Sequence, residues 1–274
     1  MKFGIIGTGN MGGLLIDVLI ERNIVSPEKV YIHNRTIEKA EKYLLHYPDI
    51  HVKHSAPEVI ENTDIIFICV KPKEYYPLIT ENRSLFKQDK CLVTITSPIS
   101  VHQVEKVVAC SCARVIPSIT NRAFSGVSLL TFAEQCSEYW KEMIHRIFSN
   151  VSVPYEIKED VTRVTSDIVS CGPAFFTYMT RRFIKAAEKE TTIDEETATV
   201  LASHMLIGLG DLLKKGHYTL PTLQQKVCVQ GGVTGVGINV LEEGLEDIFE
   251  KLFQATHKKF ADDKELVGKQ FGEL

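Results

Sequence analysis

The segment Gly7-Thr8-Gly9-Asn10-Met11-Gly12 restricts the fold more than any other stretch of the chain. It follows the apolar run Phe3–Ile6, which reads as a strand, and opens a segment through about Arg22 that reads as a helix. Glycines spaced G-x-G-x-x-G between a strand and a helix have separate tasks. The first makes the turn, the second lets the backbone approach an anion, and the third lets helix and strand pack closely. The helix start adds unpaired N–H groups suited to a pyrophosphate. Such an opening points to an α/β fold in which parallel strands alternate with crossover helices.

The rest of the first half keeps that alternation. Strands are expected at Val30–Ile32, near His51–Lys53, at Asp64–Val70, Cys91–Ile95, Ala113–Ile116, Val127–Leu130 and Val151–Ile157. Helices are expected after Thr36 and Pro57, over Val101–Val108 with Ser100 as its cap, and over Cys136–Phe148. From about Val161 the periodicity turns helical. Pro173 opens one helix, Asp194 caps another that Gly216 ends, and Leu223–Val229 forms a third. Ile238, Leu241, Leu245, Ile248, Phe249 and Leu252 mark one apolar face of a last long helix starting near Ile238. The expected architecture is an N-terminal Rossmann-type doubly wound sheet over residues 1–158. An all-α substrate and dimerisation domain follows over residues 159–274.

Composition excludes several classes. With 44% hydrophobic residues the chain can build a core, and no stretch approaches the roughly 18 unbroken apolar residues of a membrane helix. A net charge of −4 without a basic run argues against a nucleic-acid partner. The seven cysteines show no Cys-x-x-Cys pair and no histidine grouping with metal spacing, so no metal is expected. They read as reduced, mostly buried thiols of a cytoplasmic protein. The N-terminus reads as a strand and glycine turn rather than a signal peptide.

Two further segments extend the cofactor site assigned to Gly7, Thr8, Gly9, Asn10 and Met11. NAD-binding turns usually carry an Asp or Glu after the second strand, for the ribose 2′-hydroxyl. This chain has Asn34-Arg35-Thr36 there, and a guanidinium beside a hydroxyl suits a 2′-phosphate. The pattern favours NADPH, with NADH as the lesser candidate. Val70-Lys71-Pro72 closes the strongest strand, at the sheet end where ligands bind in such folds. In the helical half, Gly231-Gly232-Val233-Thr234-Gly235 precedes the last helix. Its backbone N–H groups could hold a carboxylate, and Thr234 adds a hydroxyl. On those residues alone it could equally be a helix-connecting turn.

In this order, Gly7-Thr8-Gly9-Asn10-Met11-Gly12, Asn34-Arg35-Thr36, Val70-Lys71-Pro72, Cys171-Gly172-Pro173-Ala174-Phe175 and Gly231-Gly232-Val233-Thr234 resemble pyrroline-5-carboxylate reductases along essentially the whole chain. The stretches 113–122 and 167–173 are similar to the family's ComER, or late-competence, branch. The resemblance implies hydride transfer from a reduced nicotinamide to the C=N of 1-pyrroline-5-carboxylate, giving L-proline. It implies that Thr234 hydrogen-bonds the imine nitrogen and that Gly231, Gly232 and Val233 hold the substrate carboxylate. It also implies a homodimer or higher homo-oligomer built through the helical domain.

The chain departs from the family on the substrate side. Val229-Gln230 replaces the usual Ser-Pro, Ser170-Cys171-Gly172-Pro173 the usual Gly-Ser-Gly-Pro, and Arg181 a common acidic residue. Ile116-Pro117-Ser118-Ile119-Thr120 and Ser97-Pro98 also differ from the family pattern. Two alternatives therefore stand beside proline formation. One is a catalytically weak paralogue that binds nucleotide or imine as a regulator, and the other is a reductase of a different imine.

Overall fold

A computed structural model describes residues 1–272. Its centre is one sheet of eight strands: β1 (Phe3–Ile6), β2 (Val30–His33), β3 (His51–Val52), β4 (Ile65–Ile68), β5 (Cys91–Thr94), β6 (Ser111–Ile116), β7 (Val127–Phe132) and β8 (Val153–Glu156). Twelve α-helices accompany them among the described residues: α1 (Asn10–Glu21), α2 (Ile37–Glu41), α3 (Ala56–Asn62), α4 (Pro72–Glu81), α5 (Val101–Glu105), α6 (Glu138–Ser149), α7 (Thr162–Ser166), α8 (Gly172–Glu190), α9 (Glu195–Lys214), α10 (Leu220–Val227), α11 (Val233–Leu245) and α12 (Ile248–Phe271).

The strand order is β3-β2-β1-β4-β5-β6-β7-β8. The chain runs outward from β1 through β2 and β3, then returns to the other side of β1 for β4. That reversal opens a crevice at the carboxyl ends of β1 and β4, the place where doubly wound sheets bind ligands. β1, β4 and β5 are short apolar runs buried along their whole length, as expected of parallel strands covered by helices on both faces. Phe3, Ile5, Ile32, Phe67 and Val93 pack with Leu15, Ile16 and Leu19 of α1 in the larger core cluster. Ile66, Ile68 and Leu92 face Val59 and Ile60 of α3 and Tyr75 and Ile79 of α4 on the other side.

The expected parallel pairing holds for every neighbouring pair of strands but one, because β7 runs antiparallel to β6. A parallel return needs a crossover of about a dozen residues or more. Residues 117–126 hold only a short 3₁₀ turn, Ile119–Ala123, so the chain doubles back instead. Helix α4 was not foreseen at all. The helix expected to open at Pro173 continues an earlier one, since α7 passes through a π-helical turn at Asp167–Cys171 into α8. The single last helix is two helices, divided at Glu246, whose φ is 31°. Thr36 takes the position before α2, but its side chain makes no capping bond. Ser100 caps α5 with a reciprocal bond from Gln103, and Asp194 caps α9 through the Thr197 N–H.

Packing groups the chain into two compact units, Met1–Gly172 with Ala255–Leu274, and Pro173–Gln254. In the first unit Arg114, on β6, is fully buried. Its guanidinium is bidentate to Glu159 at 2.8 and 2.9 Å and also donates to Thr162 Oγ1 at 2.6 Å. Asp167, in the π-helical turn, is held by Arg163 at 2.8 Å and by Thr256 of α12 at 2.7 Å. The second unit has little interior of its own. Its buried cluster is Ile184, Ala198 and Ala202, while Phe176, Phe183, Leu201, Ile207 and Val236 are exposed.

All seven cysteines are free. Cys91, Cys110, Cys112 and Cys136 are buried, and burial raises the Cys136 thiol to about 11. Among the described residues no helix is long and apolar enough to cross a membrane.

Candidate active site

The carboxyl ends of β1, β2 and β4 bring three of the singled-out segments together in the first unit. Gly7 donates its N–H to His33 O at 2.8 Å, and Cys69 donates to Ile6 O at 2.7 Å. The three glycines divide their tasks as the spacing requires. Gly7 has φ +97°, and a Cβ there would lie 2.6 Å from Cys69 O. A Cβ on Gly12 would lie 1.9 Å from Gly7 O, so helix and turn leave no room for a side chain. A Cβ on Gly9 would meet nothing within 4 Å. The second glycine alone faces open space, at the N-cap of α1, whose first N–H groups lack helical acceptors.

Asn34 joins two of the loops. Thr8 donates its N–H to Asn34 Oδ1 at 3.0 Å, and Asn34 Nδ2 donates to Thr36 O at 2.9 Å. The amide is thus spent on shaping the cradle. The Thr8 hydroxyl is buried and has no hydrogen-bond partner. A buried hydroxyl without a partner is costly, and a ligand oxygen at the turn would relieve it.

Arg35 projects into solvent from the end of β2 and pairs with Glu74 in the first turn of α4, Nη1 to Oε1 at 2.6 Å. Lys71 is the residue before α4, and Pro72 is the helix's first residue, a position where proline's missing N–H costs nothing. Thr96 donates to Val70 O at 3.5 Å, tying the end of β5 to this loop.

A cleft of about 740 Å³ adjoins the turn, lined by Thr8, Gly9, Asn10, Gly13 and Leu14 on one wall. Lys39, Lys42, Tyr43 and His46 line the other wall, and Asp17 completes it. Sequence reasoning missed these basic residues. Their spacing of three and four places one face of the chain after Arg35, which was a readable signal. Tyr47 donates to Asp17 Oδ1 at 3.3 Å, yet burial outweighs that bond and raises the Asp17 carboxyl.

The glycine–threonine segment lies in the second unit. Gly231 has φ +75°, Gly232 is the N-cap of α11, and a Cβ on Gly232 would lie 2.9 Å from Val229 Cγ2. Helix α11 therefore starts at Val233, five residues before the expected start. Thr234 falls in its first turn, beside N–H groups that have no acceptor within the helix. Val229, in place of the family's serine, is exposed.

Comparison with known proteins agrees with this architecture. Residues 159–262 match the family model for pyrroline-5-carboxylate reductase dimerisation. Residues 2–98 match the model described as NADP oxidoreductase, coenzyme F420-dependent. The chain is 49% identical to ComE operon protein 4 of Bacillus subtilis, covering 99% of each chain. It is 26% identical to pyrroline-5-carboxylate reductase 3 of the same organism, over 98% of this chain and 99% of that one. Among solved structures it shares its fold with a pyrroline-5-carboxylate reductase from Coxiella burnetii (TM-score 0.85, 22% identity, 96% of this chain and 98% of that one). It also shares it with the NADP-bound Plasmodium falciparum enzyme (TM-score 0.82, 21% identity, 98% of each chain). The chain belongs to the pyrroline-5-carboxylate reductase family of nicotinamide-dependent oxidoreductases, in its ComER branch.

Proposed function

We propose that the protein is a cytoplasmic NAD(P)H-dependent reductase of 1-pyrroline-5-carboxylate, forming L-proline, with NADPH as the preferred donor. The observation that carries this reading is the cradle at Gly9, where space is open while Gly7 and Gly12 are closed by backbone. The unpartnered Thr8 hydroxyl fits the same ligand. In this reading residues 1–158 bind the dinucleotide, and residues 159–274 supply the substrate site and the dimer contact.

When bound, the reduced nicotinamide supplies a hydride. The residues of the chain bind and orient. Gly9, Asn10 and Met11 present backbone N–H groups to the pyrophosphate, Gly7 and Thr8 hold the turn with the Thr8 hydroxyl left for a ligand oxygen, and Asn34 fixes the two loops that flank it. Arg35 and Thr36 face the adenosine ribose, and Val70, Lys71 and Pro72 shape the wall at the end of β4. On the substrate side the N–H groups of Gly231, Gly232 and Val233 receive the carboxylate, as unpaired donors at a helix start do. Thr234 hydrogen-bonds the imine nitrogen. A protonated imine accepts hydride more readily than a neutral one, and the Thr234 hydroxyl oxygen, as acceptor for that N–H, raises the share of substrate bound in the protonated, reactive form. The exposed apolar side chains of the second unit are covered by a second copy of the chain, making a homodimer or larger assembly.

The test is oxidation of NADPH by the purified protein with pyrroline-5-carboxylate, with proline measured as product. Thr234→Ala is expected to lower turnover by about 10²-fold, as loss of one transition-state hydrogen bond does, with the NADPH dissociation constant changed less than twofold. Equal loss of cofactor binding contradicts the role given to Thr234. Tight NADPH binding without proline formation points instead to a regulator or another imine. The Val229-Gln230 replacement favours that second reading.

A further inference from the structure

The end of β2 carries no carboxylate, but the structure places one there from another element. Glu74 Oε1 accepts from Arg35 Nη1 at 2.6 Å. Glu74 is firmly based. Its N–H donates to Lys71 O at 2.9 Å, and the neighbouring Tyr75 is fully buried. The end of α12 presses on the same helix from outside. Phe271 meets the Tyr76 ring edge-on with centroids 4.7 Å apart, and Gln270 Nε2 donates to Lys73 O at 3.3 Å. These groups all belong to the first compact unit.

The geometry points to Glu74 as a specificity-determining residue that narrows the preference between NADPH and NADH. This rests on the nicotinamide reading above and adds a residue to it. A free guanidinium offers a full positive charge to a 2′-phosphate. Paired with Glu74, it offers a neutral couple, and the phosphate must compete with the carboxylate for Nη1. A ribose 2′-hydroxyl needs the opposite. It is a neutral donor, and the Glu74 carboxylate is the acceptor that NAD-binding turns ordinarily place at the end of β2. The same ion pair therefore weakens NADPH and strengthens NADH. Arg35 is 85% exposed and keeps its remaining N–H groups free for phosphate, so the margin shrinks rather than reverses.

The experiment is titration of the full chain with NADPH and with NADH, followed by nicotinamide fluorescence or calorimetry, for wild type, Glu74→Gln, Arg35→Ala and the double variant. For Glu74→Gln the NADPH dissociation constant is expected to fall about 1.5-fold to fivefold, the range for one exposed charge at contact distance. The NADH constant is expected to rise at least about twofold, for loss of a charged acceptor. In the Arg35→Ala background the NADPH gain should shrink, because the competition is for that guanidinium. Circular dichroism checks that each variant folds. A ratio of the two constants that stays within twofold in Glu74→Gln overturns the proposal and leaves the cofactor reading intact. Failure of the wild type to bind either dinucleotide overturns both.

Discussion

Gly9 and Gly12 are three residues apart in one motif, yet alanine at the two positions should act through different physics. At Gly12 a new Cβ would sit 1.9 Å from Gly7 O, 3.0 Å from Gly7 C and 3.2 Å from Cys69 Cβ. The first two are backbone atoms of the turn, so α1 must back away from β1 by more than 1 Å to reach ordinary contact. Overpacking costs typically about 1–3 kcal/mol, and a clash with rigid backbone belongs at the upper end. For a unit of this size 1 kcal/mol is about 2–4 °C in Tm, so Gly12→Ala should lower Tm by roughly 6–12 °C. At Gly9 the Cβ meets nothing, and φ is −74°, open to any residue. Alanine is a poorer N-cap than glycine but loses less chain entropy on folding, and the two effects nearly cancel within about 1 kcal/mol. Gly9→Ala should therefore keep Tm within about 3 °C and raise the NADPH dissociation constant more than about tenfold, through the methyl placed where the pyrophosphate approaches. Differential scanning calorimetry and a binding titration on the two variants settle the matter. A large Tm loss in Gly9→Ala, or unimpaired NADPH binding by it, would refute the division of tasks.

Three other outcomes follow from buried and partly buried charges. Arg114→Met removes a fully buried guanidinium bonded to Glu159, Thr162 and Thr131, and breaking such a pair costs about 3–5 kcal/mol. Because Glu159 is partly exposed and can return to water, the lower figure applies, and chemical denaturation with a loss below 1 kcal/mol would contradict it. Asp167→Asn keeps the shape but removes the charge that faces Arg163, leaving a largely buried cation unpaired. It should lower stability by about 2–3 kcal/mol, and an unchanged unfolding midpoint would contradict that. Asp17 runs the other way. Its carboxyl is raised chiefly by burial, so the folded chain holds that proton more tightly than the unfolded one. This favours folding below the ordinary carboxylate range and opposes it as pH rises through the raised value. Asp17→Asn is thus expected to raise Tm at pH 7 and lose the advantage below about pH 4, whereas an equal gain at both pH values would count against it.

The parts of the fold that sequence revealed are those set by local rules. Runs such as Ile65–Ile68 and Cys91–Thr94 are apolar on both faces, which only a covered strand tolerates. Ser100 and Asp194 announced their helices because a capping side chain acts within three residues. Helix α4 escaped because Pro77 lies inside it and its outer face is Lys73, Glu74 and Glu81. Strand direction is not written in periodicity, so the reversal of β7 was open to view only in the shortness of residues 117–126. The break at Glu246 interrupts an apolar face that continues across it, without a proline to mark the place. At the site, Gly7 and Gly12 of the turn were readable because each is closed in by backbone, while Gly9 faces open space. The Arg35–Glu74 pair was not, since it joins residues 39 apart at two different strand-to-helix connections. The substrate-side residues came from family resemblance and not from their own pattern, and Thr234 is the one whose role most needs measurement.

The most direct test follows the hydride itself. NADPH carrying deuterium at C4 of the nicotinamide, in each of its two stereoisomers, is incubated with the protein and pyrroline-5-carboxylate, and the proline is analysed by mass spectrometry. The account predicts proline heavier by one mass unit, labelled at C5, from one stereoisomer and not from the other, with the amount of labelled proline formed by Thr234→Ala falling in step with its rate. NADPH bound at the glycine turn with no deuterated proline formed would contradict the assignment of this chain as a pyrroline-5-carboxylate reductase.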